Sequence, residues 1–578
     1  MKAKPRLVRR TLADAGQWPD QFPPLLTRLY AARGATSVEQ AQPRLANLLP
    51  PDLLGGLEAA TPLLMDAIAN DRHIVVVGDF DCDGATACAV GVRGLRMLGA
   101  KHVSYAVPNR MVHGYGLSPS LVEELAALKP DLLVTVDHGI ACHAGIKAAK
   151  EHGWRVLITD HHLPGDTLPP ADAIVDPNLR GDTFPSKALA GVGVMFYVLL
   201  ALRKRLREQG ALGTSEPDLS QLLDLVAVGT VADVVPLDMN NRALVSAGLR
   251  RLRTGHGCAG LRALVEVAQR DAQQLTSADI GYAIGPRINA AGRLEDMSLG
   301  IECLLSDDLA HAREMAATLN EINGERRAVQ QQMTDEAELA LARVTLRDDE
   351  QVPAAICLFD AEWHPGVVGL VASKMKERLH RPVIAFAPSE PGSQVLRGSA
   401  RSIPGFHIRD ALAEVAARHP DLLERFGGHA MAAGLSLPLA SLRAFEQAFG
   451  DCAARWLTPE LLQAEIVSDG ELADDEFNRR HAELLRDAGP WGQGFPEPQF
   501  DGEFAVLAWR VVGERHLKLE LGRGSHRLNA IEFGGWNGDP PPARVRIAYR
   551  LEPDDWRGGE AVQLVVTHRE PAPLRGPD

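Results

Sequence analysis

Asp79, Asp81 and Asp83 stand at alternate positions in V-V-V-G-D-F-D-C-D-G-A-T (75–86). In extended backbone, alternate side chains share a face, so three carboxylates there repel one another unless a cation sits among them. A merely solvated acidic loop leaves unexplained why the triplet directly follows three apolar β-branched residues, Val75, Val76 and Val77, released by Gly78. A divalent metal site accounts for both features, although D-x-D-x-D-G is also a pattern of calcium loops.

Other acidic and histidine clusters follow other apolar runs. Asp137-His138-Gly139 follows 132–136, Asp160-His161-His162 follows 155–159, and Asp233 closes the run 225–231 in V-A-D-V-V-P-L. Any one of these could be a turn, because Asp and Gly favour strand ends and an isolated His is more often structural than a ligand. Four together point to one site. Carboxylates with imidazole and no thiolate suit Mn²⁺ or Mg²⁺ better than structural zinc. Five or six such ligands suffice for two ions, which in phosphoryl chemistry clamp the attacking and leaving oxygens of an in-line displacement.

To converge, the clusters need a common scaffold. Strand-like runs at 73–77, 132–136, 155–159, 173–175 and 225–231 alternate with helical stretches, the pattern of βαβ units around a parallel sheet. Ligands of such sheets bind beyond the strand carboxyl ends, where the four clusters fall. The expected organisation is α/β. A proline-broken lead-in (1–60) precedes a parallel-sheet domain (61–240), and a helical region (241–345) closes with a long charged connector helix from about Asp308 to Val344, with Gly324 as a bend. A smaller α/β domain (346–458) has strands at 354–359, 383–387 and 395–398. Its G-G-H-A-M-A-A-G (427–434) reads as a glycine-rich turn in which backbone N–H groups of Gly427 and Gly428 could cradle a phosphate, with His429 as a further donor. Residues 459–578 are β-rich, with runs at 504–512, 516–521, 527–533, 545–551 and 561–566, the spacing of a small barrel of OB type.

Composition narrows the partners. A formal net charge of −14 over 578 residues gives no global pull toward nucleic acid or anionic membrane, so strand binding requires locally basic surfaces. Aromatic residues make up only 5%, which limits base stacking and shifts affinity to salt-dependent backbone contacts. Seven cysteines without a C-x-x-C pair argue against a disulfide framework or a zinc ribbon and fit a reducing cytoplasm. The basic start, Met1–Arg10, precedes no apolar signal core, and 192–202 is too short to span a bilayer, so a soluble intracellular protein is expected.

The four acidic segments resemble the motifs of DHH-superfamily phosphoesterases. The likeness continues through V-P-N-R-M-V-H-G-Y-G-L-S (107–118), G-P-R-I-N-A-A-G-R-L (285–294), R-G-S-A-R-S-I-P-G-F-H-I (397–408) and G-G-H-A-M-A-A-G. Over most of the chain this ordered combination resembles the superfamily's single-strand-specific 5′→3′ DNA exonucleases. The resemblance implies a DHH catalytic domain, a long connector helix, a DHHA1 substrate-binding domain and an OB-like barrel. It also implies two Mn²⁺ or Mg²⁺ ions, with Asp137 between them, Asp79 and Asp81 on one side, and Asp83, His161 and Asp233 on the other. Asp137, His161 and His162 would be the catalytic residues, with His162 facing the substrate phosphate. Asp79 fits either a direct ligand or a hydrogen-bonding neighbour of the ligands, as do Asp160 and His138. An activated water would attack phosphorus in line and a 5′-mononucleotide would leave.

By the same resemblance Arg110, Ser399 and Arg401 receive the 5′ phosphate, while Arg287, Asn289, His364 and Lys374 contact the strand. Arginines gathered in a narrow channel between the two α/β domains would admit only an unpaired strand. Single-stranded DNA, single-strand-binding protein and a RecQ-type helicase are the implied partners, in repair and recombination, for a monomeric enzyme. W-G-Q-G-F-P-E-P-Q-F (491–500) resembles the family's link into the barrel, with Phe495 where Asn is expected. Two rivals share much of this pattern. A phosphodiesterase for short oligoribonucleotides or cyclic dinucleotides would not need the connector and the barrel, and a metal-dead scaffold would have lost ligands that are all present here.

Overall fold

The computed structural model describes residues 5–11, 16–109, 112–113, 115–213, 216–294, 296–345 and 353–572. It divides into two compact units: Met1–Val8 with Gly324–Val467, and Arg9–Asn323 with Ser468–Asp578.

In the larger unit, β1 (Ile74–Val77), β2 (Val103–Ala106), β3 (Leu132–Val136), β4 (Arg155–Thr159) and β5 (Ala173–Val175) form one sheet in the order β2-β1-β3-β4-β5. Every pairing is parallel. Every residue of β1 and β3 is buried, as expected when both faces of a parallel sheet are covered. Period-two alternation divides the apolar side chains between two cores. Ile74, Val76, Val134 and Val136 join the main core, while Val75, Val77, Leu133 and Val156 pack with Leu121, Val122 and Ile146 on the other face. The edge strand β2 is missing from the sequence reading because its Ser104 and Tyr105 are only half-buried and carry no continuous apolar run.

The main-core face is covered by α1 (Cys82–Met97), α2 (Gly191–Glu208) and α3 (Leu223–Ala232). The last of these corrects an expectation: the run 225–231 is helical, not a fifth strand. Residues 223–230 are buried on every side of the helix, and apart from Asp224 and Thr230 none is polar, so periodicity cannot tell the segment from a buried strand. Asp233 therefore arrives from a helix C-terminus rather than from a strand end.

The same unit carries a closed barrel of five strands, β11 (Phe500–Val512), β12 (His516–Arg523), β13 (His526–Glu532), β14 (Arg544–Pro553) and β15 (Val562–Pro571), ordered β11-β12-β13-β15-β14. Alternate residues fill it: Leu517, Leu519 and Leu521 of β12 all point inward. The unexpected Phe495 is almost fully buried, stacked on Trp491 with ring centroids 5.3 Å apart and capped by the Arg242 guanidinium at 3.9 Å. Tyr30 of the lead-in stacks on it too and donates its hydroxyl to Ala488 O at 2.7 Å, so the lead-in packs against the link to the barrel.

The smaller unit holds a mixed sheet of β6 (Ile356–Phe359), β7 (Val383–Pro388), β8 (Val395–Arg401), β9 (Arg425–Gly428) and β10 (Ala432–Pro438), in the order β9-β10-β8-β7-β6. Only β6 and β7 pair in parallel. The expected connector is one α-helix of 37 residues, Leu309–Thr345, about 55 Å long at 1.5 Å per residue. The boundary between the units falls on it at Gly324. Among the described residues no helix is long and apolar enough to cross a membrane.

Candidate metal centre

The D-F-D-C-D segment does not stay extended, so its three carboxylates do not share one face as the spacing predicts. Asp81 is the N-cap of α1, with extended backbone (φ −121°), and its Oδ1 accepts the Gly84 N–H at 3.0 Å. Asp83 already lies in the first helical turn, where negative charge is favourable. It is fully buried, and its carboxylate is clamped by the start of α2: Gly191 N–H donates to Oδ2 at 2.6 Å and Val192 N–H to Oδ1 at 3.0 Å. The helix start thus turns Asp83 away from Asp79 and Asp81.

Asp137 follows β3 in left-handed backbone (φ 63°), a conformation that Asp tolerates better than most side chains. His161, just beyond β4, points Nε2 at Asp137 Oδ1 (3.1 Å), Asp233 Oδ2 (3.5 Å) and Asp83 Oδ2 (3.9 Å). Asp160 is an organiser of this loop. Its Oδ2 accepts Ile140 N–H, and its Oδ1 accepts the N–H groups of His161 and His162 and meets His162 Nδ1 at 2.7 Å. Burial alone would raise Asp160, but the bond from His162 and the backbone donors outweigh it and hold the carboxyl well below its usual range. Burial likewise lowers His162, and Asp160 overrides that effect and lifts it to about 9. His138 is buried with Nε2 3.1 Å from Val77 O, and desolvation pulls it to about 4, so it is neutral and ties two strand ends together.

Candidate ligand atoms fall into groups whose members all lie within 4.8 Å of one another: Asp79, Asp81 and Asp137; Asp83, His161 and Asp233; and Asp137, His161 and His162. Asp137 belongs to two of them. Burial first, and then repulsion from neighbouring carboxylates, raises Asp83, Asp137 and Asp233 above the usual carboxylate range. Ionising them together therefore calls for a counter-charge. Asp137 Oδ1 is buried, and apart from the approach of His161 Nε2 no hydrogen bond of good geometry reaches it among the described residues. An oxygen-rich set with one imidazole, no thiolate and an unsatisfied buried carboxylate oxygen fits hard divalent ions.

The other expected residues are placed less uniformly. Arg110 lies outside the described residues. Arg287 is buried, its Nε donating to Asn320 Oδ1 at 3.0 Å and its Nη1 to Ala283 O at 2.6 Å. Asn289 accepts the Cys82 N–H at 2.8 Å. In the smaller unit, Arg401 donates to Ser399 Oγ at 2.9 Å and to Ser373 Oγ at 3.1 Å. A Cβ on Gly369 would come within 2.8 Å of the Arg401 guanidinium, so glycine leaves room beside it. His364 accepts the Gly366 N–H through Nδ1, and Lys374 is exposed on the helix Val368–Leu379.

The G-G-H segment differs from the expected turn. Gly427 and Gly428 lie in edge strand β9, paired with Gly434 and Ala433, and His429 N–H is committed to Ala432 O at 2.8 Å. Gly428 needs its φ of 140° and its missing side chain, because a Cβ would meet Ala432 O at 2.5 Å. The local structure is a short hairpin on an exposed edge strand rather than an open turn.

Sequence reasoning missed two neighbours of the centre. A Cβ on Gly191 would lie 2.5 Å from Asp137 Cβ, so only glycine lets α2 begin so close; the glycine pair at 191 and 193 in an apolar helix start was the available signal. Tyr115, half-exposed, sets its ring edge-on to Phe80 and His162 and its hydroxyl 3.5 Å from Asp137 O.

Asp176, just past β5, is fully buried; Oδ1 accepts the Asn178 N–H, whereas Oδ2 accepts no hydrogen bond among the described residues. Burial raises its carboxyl to about 8. With a folded pKa above the unfolded one, ionisation costs nothing below about pH 4, costs progressively more as pH rises, and reaches its full cost above about pH 8. Asp176→Asn is therefore expected to raise Tm by a few degrees near pH 8.5 and by much less near pH 5. A gain independent of pH, or a loss near pH 8.5, would contradict the assignment.

Residues 73–230 match the model of the DHH family N-terminal domain, 312–455 that of the DHHA1 domain and 468–568 that of the RecJ OB domain. The single-stranded-DNA-specific exonuclease RecJ of Salmonella typhimurium is 49% identical over 575 residues, covering 98% of this chain and 99% of its own. The chain belongs to the RecJ family. The RecJ of Thermus thermophilus, solved in complex with Mn²⁺, has the same fold with a TM-score of 0.77 at 33% identity, over 97% of this chain and 81% of that one. Its complex with Mg²⁺ gives a TM-score of 0.72 at 31% identity, over 97% and 80%. The order expected from sequence, parallel-sheet DHH domain, DHHA1 domain and C-terminal barrel, is the order of the RecJ family.

Proposed function

We propose that this chain is a metal-dependent exonuclease specific for single-stranded DNA, removing 5′-mononucleotides from the 5′ end in DNA repair and recombination. The observation that carries the reading is the set of adjoining ligand groups, in which Asp137 stands with Asp79 and Asp81 and also with His161, in a chain similar along its whole length to single-stranded-DNA-specific exonucleases. Asp79 and Asp81 would hold one divalent ion and Asp83, His161 and Asp233 the other, and Asp137, with Oδ1 3.1 Å from His161 Nε2, would serve both. When bound, such ions make water acidic enough to attack phosphorus and stabilise the charge that develops on the departing 3′ oxygen.

The protein's part is positional. The amides of Gly191 and Val192 fix Asp83, the left-handed turn at Asp137 aims its carboxylate between the clusters, and Asp160 orients His162 through Nδ1. That leaves His162 Nε2 to donate toward a non-bridging phosphate oxygen. Degradation of a long 5′-labelled single strand with Mn²⁺ tests the reading: labelled mononucleotide is expected first. Preference for dinucleotides, or binding without turnover, would overturn it.

Polarity needs a receptor for the terminal phosphate, and Arg401 with Ser399 is the proposed one. The expected outcome for Arg401→Ala is about a tenfold loss of preference for 5′-phosphorylated over 5′-hydroxyl ends. Equal loss on both kinds of end would remove Arg401 from that role. All seven cysteines are unpaired, as a reducing cytoplasm would keep them. Single-strand-binding protein and a RecQ-type helicase are the proposed collaborators of a monomeric enzyme.

A further inference from the structure

The helix Gly285–Leu294, here α4, carries the G-P-R-I-N-A-A-G-R-L motif, and it touches the metal loop rather than only the strand path expected of it. The first amides of any α-helix lack intrahelical acceptors. In α1 the third of these, Gly84 N–H, is capped by Asp81 Oδ1, whereas the first, Cys82 N–H, donates to Asn289 Oδ1 at 2.8 Å. Cys82 is 1% exposed, so water is not an alternative acceptor. One turn further along α4, Gly292 faces Phe80 O so closely that a Cβ would stand 1.9 Å from it. The helix is thus pressed against backbone 80–82, between the two aspartates that enter different clusters.

We propose that Asn289 is a positioning residue for the metal centre: by accepting the Cys82 N–H it leaves the Asp81 carboxylate available to the cluster of Asp79, Asp81 and Asp137. Without that acceptor a buried N–H is left unsatisfied. The neighbouring carboxylate that can answer it is Asp81 itself, which already gives one oxygen to Gly84. Turning toward the backbone would withdraw Asp81 from its cluster, while Asp83, held separately by Gly191 and Val192, would stay in place. The loss therefore falls on one ion of the two. The inference rests on the two-ion reading of the centre and replaces the expected role of Asn289 as a strand contact.

The test is a Mn²⁺ titration of the full-length protein, with free ion followed by electron paramagnetic resonance, alongside single-strand affinity measured in EDTA. The wild type is expected to bind two ions. Asn289→Ala should weaken one of them by about 10–100-fold, the range for groups that orient metal ligands, and leave the other and the EDTA strand affinity unchanged. Asn289→Asp, which keeps an oxygen in place, should restore the weakened site. Asn289→Gln keeps the polarity but moves the oxygen, and should reproduce the loss if the alanine variant does not fold. Unchanged affinity for both ions, with or without weaker strand binding, overturns the proposal. Fewer than two ions on the wild type overturns the two-ion reading itself, and the two failures are distinct.

Discussion

Asp137→Ala is expected to reduce mononucleotide release from a 5′-labelled single strand by on the order of a thousandfold or more with saturating Mn²⁺. No other residue stands both with Asp79 and Asp81 and with His161 among the described residues, and His161 in turn groups with Asp83 and Asp233, so loss of Asp137 is expected to affect both proposed ions rather than one. The same substitution should not unfold the protein. Burial and repulsion from Asp83, Asp81 and Asp233 already raise the Asp137 carboxyl, so removing it relieves repulsion in EDTA. Its Tm in EDTA should equal or exceed that of the wild type, apart from strain of alanine at φ 63°, which Asp137→Asn avoids. What should disappear is the Mn²⁺-dependent rise in Tm, because an ion that binds only the folded state stabilises in proportion to its affinity. A variant that keeps a tenth of the activity, or the full Mn²⁺ shift, would contradict the shared role of Asp137.

The second large effect is expected at a residue with no side chain of its own. In Gly191→Ala the new Cβ would lie 2.5 Å from Asp137 Cβ and 2.6 Å from its Oδ1, too close for either to stay. The obstacle is a short side chain and its backbone, so the first turn of α2 must move. That turn carries the two amides that hold Asp83. One methyl group thus disturbs both clusters. Activity should fall by about a hundredfold through misplacement of the ligands. Stability should fall by about 1–3 kcal/mol through overpacking. Gly193→Ala is the control: its Cβ would meet only the Leu189 Cδ2 end at 3.1 Å, which can yield, and both measurements should stay near wild type. Equal behaviour of the two variants in turnover and thermal melts would remove Gly191 from the account.

The acidic and histidine residues were legible in sequence because their chemistry is unusual after apolar runs, and three of the four clusters do follow parallel strands. The fourth was misread. Leu223–Ala232 carries apolar residues on all sides, with Asp224 and Thr230 buried among them, and a buried helix has no polar stripe to reveal its period. The barrel was legible for the opposite reason: each strand has one face inside and one outside, so alternation survives in sequences such as His516–Arg523. What sequence could not supply is direction. Alternate spacing predicted one shared face for Asp79, Asp81 and Asp83, but the helix begins at Cys82 and sends Asp83 elsewhere. Asn289 has the chemistry of a strand contact, and its distance to Cys82 adds the geometry of a backbone cap that the sequence does not reveal.

Anomalous diffraction from crystals of the wild-type protein soaked in Mn²⁺ tests the central claim most directly. Two peaks about 3.5–4 Å apart are expected. One should be bounded by Asp79, Asp81 and Asp137, and the other by Asp83, His161 and Asp233, with Asp137 touching both. A single peak, or two peaks that do not share Asp137, would contradict that claim.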